Sequence, residues 1–132
     1  MNRIIAFCRQ RRGAAAAEFA LVLPAFLFLT VGAINLSFLM YAVVSLHQAT
    51  EAAARYASIQ TTLGNTTGLD TAVSNYAVNH YQGPAAGATY ACTPADCSAS
   101  GCGHLVTGSS TYRFTYGIGN IAIPISAKGC FP

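Results

Sequence analysis

Residues 11–46 read RRGAAAAEFALVLPAFLFLTVGAINLSFLMYAVVSL, and this stretch decides the architecture. Two arginines give way to a glycine, four alanines and one glutamate. No Asp, Glu, Lys or Arg then occurs for 32 positions, from Phe19 to Thr50. Between Phe19 and Leu46 only Thr30, Asn35, Ser37 and Ser45 interrupt the apolar run. A bilayer needs roughly 20 apolar residues in a helix, so the run spans one with a turn or more to spare. A buried core helix is the bland alternative, but little else in 132 residues could cover so long an apolar rod on every side.

The composition around the run agrees. The chain is 53% hydrophobic and only 8% charged, whereas a soluble domain carries about 25% charged residues. Disorder is excluded as well, since disordered chains are poor in apolar residues and rich in charge. The net charge of +3 comes from the amino terminus, where Arg3, Arg9, Arg11 and Arg12 stand with no acid among the first 17 residues. Beyond Gly13, Arg55, Arg113 and Lys128 face Glu18, Glu51, Asp70 and Asp96, a balance of −1. No basic stripe is left for a nucleic acid to follow.

Arginines before the run and none soon after it place the amino terminus in the cytoplasm by the positive-inside rule. Everything beyond about residue 42 is then extracytoplasmic. A cleavable secretory signal would carry an apolar region of about 7–15 residues followed by a small-residue cleavage site. Here the apolar region is roughly twice that, and the triplet Ala52-Ala53-Ala54 lies far past it. The reading is a retained anchor.

The junction ahead of the run carries chemistry. Glu18 stands at the edge of the apolar segment, where a carboxylate is expensive unless it has a partner. A peptidase cutting after Gly13 would give Ala14 a free, positively charged amine. Residues 14 and 18 share one helix face, so Glu18 could neutralise that amine in its own chain or in a packed neighbour. Gly13 weakens helix locally and leaves a narrow backbone open to a protease. Pro24 removes the bond to the Ala20 carbonyl, a kink that membrane helices tolerate.

Gly13, followed five positions later by Glu18-Phe19 at a basic–apolar boundary, resembles the processing motif of type IV pilin-like proteins. The continuation Glu18-Phe19-Ala20-Leu21-Val22-Leu23-Pro24 is similar to the TadE-like family of tight-adherence (Flp) pilus systems. So is Gln48-Ala49-Thr50-Glu51-Ala52-Ala53-Ala54-Arg55-Tyr56-Ala57, an Ala-rich stretch ending in Ala-Arg-x-Ala. The resemblance covers about residues 9–58. It implies a minor pilin-like protein (pseudopilin) of the bacterial inner membrane, cut by a prepilin peptidase between Gly13 and Ala14. It also implies partners among other pilin-like subunits and inner-membrane pilus assembly proteins. Residues 1–13 would be the leader, 14–58 the transmembrane and stalk helix, and 59–132 a small extracytoplasmic domain.

The residues support that division. Tyr41 is placed for the outer aromatic belt, and Leu46, Ala49, Ala53, Tyr56 and Ala57 continue the helical period past it. Glu51 and Arg55 form an i,i+4 pair in the favourable order. Small residues every four positions, Ala16 and Ala20 and again Ala49, Ala53 and Ala57, would permit close helix contact. The helix breaks in the polar, Gly-punctuated segment from Thr61 to Gly68. Residues from Leu69 or Asp70 to Tyr81 read as a second helix with Val73, Tyr76, Ala77 and His80 on one side, stopped by Gly83-Pro84. Residues 82–110 show little periodicity and read as a long loop. Two strand-like runs, Tyr112 to Ile118 and Ile121 to Ala127, close the chain as a hairpin across Gly119-Asn120. Pro124 points to an edge strand. The fold class is α+β.

A region of 74 residues without Trp needs staples. Five cysteines leave an odd one in an oxidising compartment, but Cys8 would depart with the leader. Cys92, Cys97, Cys102 and Cys130 then permit two disulfides in three connectivities. The reading leans to one local bridge in the loop and one from the loop to Cys130. Zinc on these cysteines and His104 is the alternative; the Cys-x4-Cys-x4-Cys spacing is looser than most zinc modules, and an oxidising location favours disulfides. No metal or other cofactor is expected.

Nucleophilic catalysis would need a Cys or Ser with a positioned His and an orienting partner. Cys102 and His104 fit a disulfide framework better, His47 an interfacial position, and His80 a helix face. No enzyme is expected. A structural assembly component leads; an uncut anchor presenting an extracytoplasmic binding module is the alternative, and a secreted disulfide protein with an unusual signal the third. Mass of the native chain separates them.

Overall fold

The computed structural model describes residues 12–115 and 119–132. Most of the expected leader, Cys8 included, and Tyr116–Ile118 at the end of the first expected strand lie outside the described residues. The elements are α1 (Arg12–Thr62), α2 (Leu69–His80), β1 (Ala86–Thr93), β2 (His104–Thr115) and β3 (Asn120–Phe131). The class is α+β, with a long apolar helix, a short helix and a three-stranded antiparallel sheet. Contacts divide the chain at Asn35, and Leu36–Pro132 forms one compact unit.

Up to Asn35, α1 is a bare apolar helix. Residues 15–29 are all exposed, among them Phe19, Leu21, Phe28 and Leu29. Length and composition suffice to cross a membrane. The polar side chains within the run turn back on the helix. Thr30 Oγ1 donates to the carbonyls of Phe26 and Leu27 at 2.9 and 3.0 Å, and Asn35 Nδ2 to that of Val31 at 2.9 Å. Such internal bonding is what lipid demands of polar groups it cannot hydrate.

The compact unit begins within the same helix. Ala42, Leu46, Ala49, Ala53 and Ala57 are completely or almost completely buried, spaced by three or four residues along one face. The period read as a stalk is therefore the floor of the domain core. Ala49, Ala53 and Ala57 are covered by their own chain, which corrects their reading as a ridge for a second helix. Thr61 and Thr62 hydroxyls bond back to the carbonyls of Ala57 and Ser58, each at 2.8 Å. Gly64 then turns left-handed at φ +79°. Its N–H reaches the Thr61 carbonyl and that of Asn65 the Gln60 carbonyl, the paired bonds of a Schellman stop.

Helix α2 buries Leu69, Val73 and Ala77. Tyr76 and His80 lie on the neighbouring stripe, where the Tyr56, Tyr76 and His80 rings stack at 4.5 and 4.1 Å between centroids.

The sheet has the order β1-β2-β3, with Cys92 opposite Val106, Gly108 opposite Ala127 and Tyr112 opposite Ile123. The segment read as a loop over 82–110 thus contains all of β1 and the first half of β2. Its side chains are mostly Gly, Ala, Ser and Thr, which alternate in position without alternating strongly in hydropathy. The expected hairpin is the β2–β3 pair, extended away from the turn to His104 and Phe131, and β3 is an edge strand, as Pro124 requires. His104, Val106, Gly108, Ser110 and Tyr112 alternate inward with Ile125, Ala127 and Gly129 across from them.

The sheet meets α1 at Thr50. A Cβ on Gly129 would stand 2.6 Å from the Thr50 carbonyl carbon and oxygen, and one on Gly108 2.7 Å from Thr50 Cγ2. Only glycine allows this approach. Arg55, expected to pair with Glu51, instead lies over the Phe131 ring at 5.3 Å. An exposed ion pair is worth little, and the ring at the end of β3 offers a cation–π contact.

Candidate processing and assembly site

The described part of α1 opens at Arg12, and the Gly13–Ala14 peptide lies within the helix. Glu18 and Phe19 follow, both exposed. Residues 14 and 18 fall on one face by helical spacing. The structure leaves the Glu18 carboxylate uncovered by its own chain, in a segment composed for lipid. Pro24 lies within the helix.

The cysteines form a separate constellation. Cys92 pairs with Cys97, Cα atoms 5.0 Å apart, and Cys102 with Cys130 at 6.2 Å. This is the local-plus-terminal connectivity towards which the sequence leaned. All four sulfurs are consumed, so the zinc alternative loses its ligands. Among the described residues no group of three His, Cys, Asp or Glu could hold a metal. His104 is buried, and its Nδ1–H donates to the Cys97 carbonyl at 2.7 Å, tying β2 to the first disulfide.

The perturbed ionisable groups likewise make no acid–base pair. Burial pushes the Tyr90 phenol up to about 12, and its hydroxyl has no hydrogen-bond partner. Burial also raises Tyr81. Asp96 is held below the usual carboxylate range by the Ser98 N–H and hydroxyl, at 3.2 and 2.9 Å from Oδ1. His80 Nδ1–H donates to the Tyr76 carbonyl at 3.0 Å, and His47 is exposed on α1. Cys102, once a partner for His104, is bound to Cys130.

The contact the sequence reading missed is the one that joins sheet to helix: Thr50 with Gly108 and Gly129. The sequence carried no signal for it, because Gly108 lies in the segment read as a loop and Gly129 beyond the expected end of the second strand.

The model of the family described as TadE-like protein matches residues 13–55. The matched segment opens on Gly13, includes Glu18, Phe19 and Pro24, and closes on Arg55, two residues short of the end of the Ala-rich stretch. No curated protein and no solved structure matches the chain.

Proposed function

We propose that this TadE-like chain is a minor pilin-like (pseudopilin) structural component of a tight-adherence pilus machine, cut by a prepilin peptidase after Gly13. The observation that carries the reading is where the family match begins: at Gly13, the last residue of the basic segment. The exposed, apolar helix and the exposed carboxylate at Glu18 support it. In this reading residues 1–13 are the cytoplasmic leader and α1 crosses the bacterial inner membrane. The domain beyond stands outside.

The chemistry is done to the chain rather than by it. Cutting leaves Ala14 with an ammonium group one helical turn from Glu18. In lipid the two charges neutralise each other, within one chain or between packed subunits, and a charge that lost its partner there would cost about 3–5 kcal/mol. The partners are the peptidase, other pilin-like subunits and inner-membrane assembly proteins.

Glu18→Val tests the role of the carboxylate. The variant should lose its leader normally, because the cut bond is untouched. Its recovery with the assembled pilus machinery should fall by about tenfold or more, given the cost of an unpaired buried charge. Glu18→Val recovered at the level of the unaltered chain would remove the proposed pairing.

A further inference from the structure

The two disulfides of the compact unit stand in opposite surroundings. Cys92 is 9% exposed and Cys97 only 2%, and hydrogen bonds hold Cys97 from both sides. Its N–H donates to the Pro94 carbonyl at 2.9 Å, and its carbonyl accepts from His104 Nδ1 at 2.7 Å. Cys102 and Cys130 are both exposed. Cys102 is flanked by Gly101 and Gly103, so no adjacent side chain shields its sulfur. A Cβ added at Gly101 would meet nothing within 4 Å.

A thiolate opens a disulfide by attacking one sulfur while the other leaves. The rate depends on access to the attacked sulfur and on how stable the departing thiolate is. Access points to Cys102. Departure points to Cys130, because Lys128 lies two residues before it on the same outward face of β3, and a nearby cation stabilises a thiolate. Neither β2 nor β3 contains an Asp or Glu to oppose this.

Opening this bridge leaves the neighbouring ties in place. Cys130 still faces Leu105 in the sheet, and Phe131 and Pro132 keep their contacts with Arg55 and Ser58. The turn before β2 is closed by two backbone bonds between Ser100 and Gly103, each 2.7 Å. Exchange here therefore calls for local opening and not for global unfolding.

We propose that Cys102–Cys130 is a site of reversible thiol–disulfide exchange on the folded domain, and that its partner is an extracytoplasmic dithiol protein. A thiolate of the partner attacks Cys102 Sγ, the bond to Cys130 Sγ breaks, and Cys130 leaves as a thiolate. The partner's second thiolate then attacks its own sulfur in the mixed disulfide and displaces Cys102. The partner ends as a disulfide and the chain as two thiols, a two-electron exchange. The protons lost by the partner's thiols pass through water to the two cysteines. Cys92–Cys97 takes no part. This rests on the proposed function, which puts the domain outside the inner membrane, where disulfides persist.

Reduced glutathione, a thiol too polar to cross membranes, is the probe. The purified full chain in detergent is treated for increasing times, blocked with a polar maleimide and mapped by peptide mass. The first product should carry glutathione on Cys102 and maleimide on Cys130. Cys102–Cys130 should open about tenfold faster than Cys92–Cys97, or more. The chain opened at this bridge alone should still melt cooperatively, and oxidised glutathione should close it again. Equal rates, or Cys92–Cys97 opening first, would overturn the proposal. So would glutathione appearing first on Cys130, or a cooperative melt lost on opening. The same treatment of intact spheroplasts tests the premise separately: labelling in detergent with none in spheroplasts would remove the outer location and leave the exchange chemistry standing.

Discussion

Gly129 shows how much a single missing side chain can decide. A methyl group there would meet the α1 backbone at the Thr50 carbonyl and the Glu51 nitrogen, which cannot give way as the end of a flexible side chain can. Gly129→Ala should therefore destabilise the domain by about 2 kcal/mol or more, as overpacking of a closed contact does. Gly101→Ala, where a Cβ meets nothing within 4 Å, should stay within about 0.5 kcal/mol. Denaturant unfolding of the two variants measures the difference, and equal stabilities would mean that the sheet does not approach the helix as closely as described. At this scale the sequence was legible where a residue type is unusual for its setting. Glu18 stands out because a carboxylate bordering lipid is costly. Thr50 does not, because a threonine in an Ala-rich helix is ordinary until a glycine from elsewhere in the chain is packed on it.

The elements were legible in proportion to their local signal. Helix α1 declares itself by apolar composition, and α2 by Leu69, Val73 and Ala77 on one face. Strand β1 reads AGATYACT, in which only Thr89, Tyr90 and Thr93 favour strand; it is a strand because β2 supplies its partners, information that no local window contains. The disulfides hold this weakly encoded part. Cys92–Cys97 closes a loop of sequence separation 5, and Cys102–Cys130 one of 28. By the chain-entropy relation the first is worth about 2 kcal/mol and the second about 3.6 kcal/mol. Replacing Cys102 and Cys130 with alanine should thus lower the unfolding midpoint more than replacing Cys92 and Cys97. The reverse ranking would show that the short bridge, through Cys97 and His104, anchors more than its own loop.

Across the whole molecule, the sequence placed the outer domain at 59–132, while the compact unit takes in α1 from Leu36. An amphipathic stalk and a helix that floors a core share one period, so the pattern alone does not separate them. The core separates them: Ala42, Leu46, Ala49 and Ala53 belong to the same buried cluster as Val106, Ile125 and Ala127. A fragment of residues 36–132, kept in mild detergent, should form both disulfides and melt cooperatively. A fragment of residues 59–132 should do neither, having lost the face its sheet covers; cooperative melting by the shorter piece would contradict the shared core.

Processing at the junction remains the claim on which the functional account turns, and the intact mass of the membrane-extracted chain tests it most directly. In cells with an active prepilin peptidase the mass should be that of a chain beginning at Ala14. In cells without the peptidase, and for Gly13→Val in either, it should be that of a chain beginning at Met1. A native chain that keeps its first thirteen residues while comparable precursors in the same cells are trimmed would contradict the account, as would one that begins beyond residue 40.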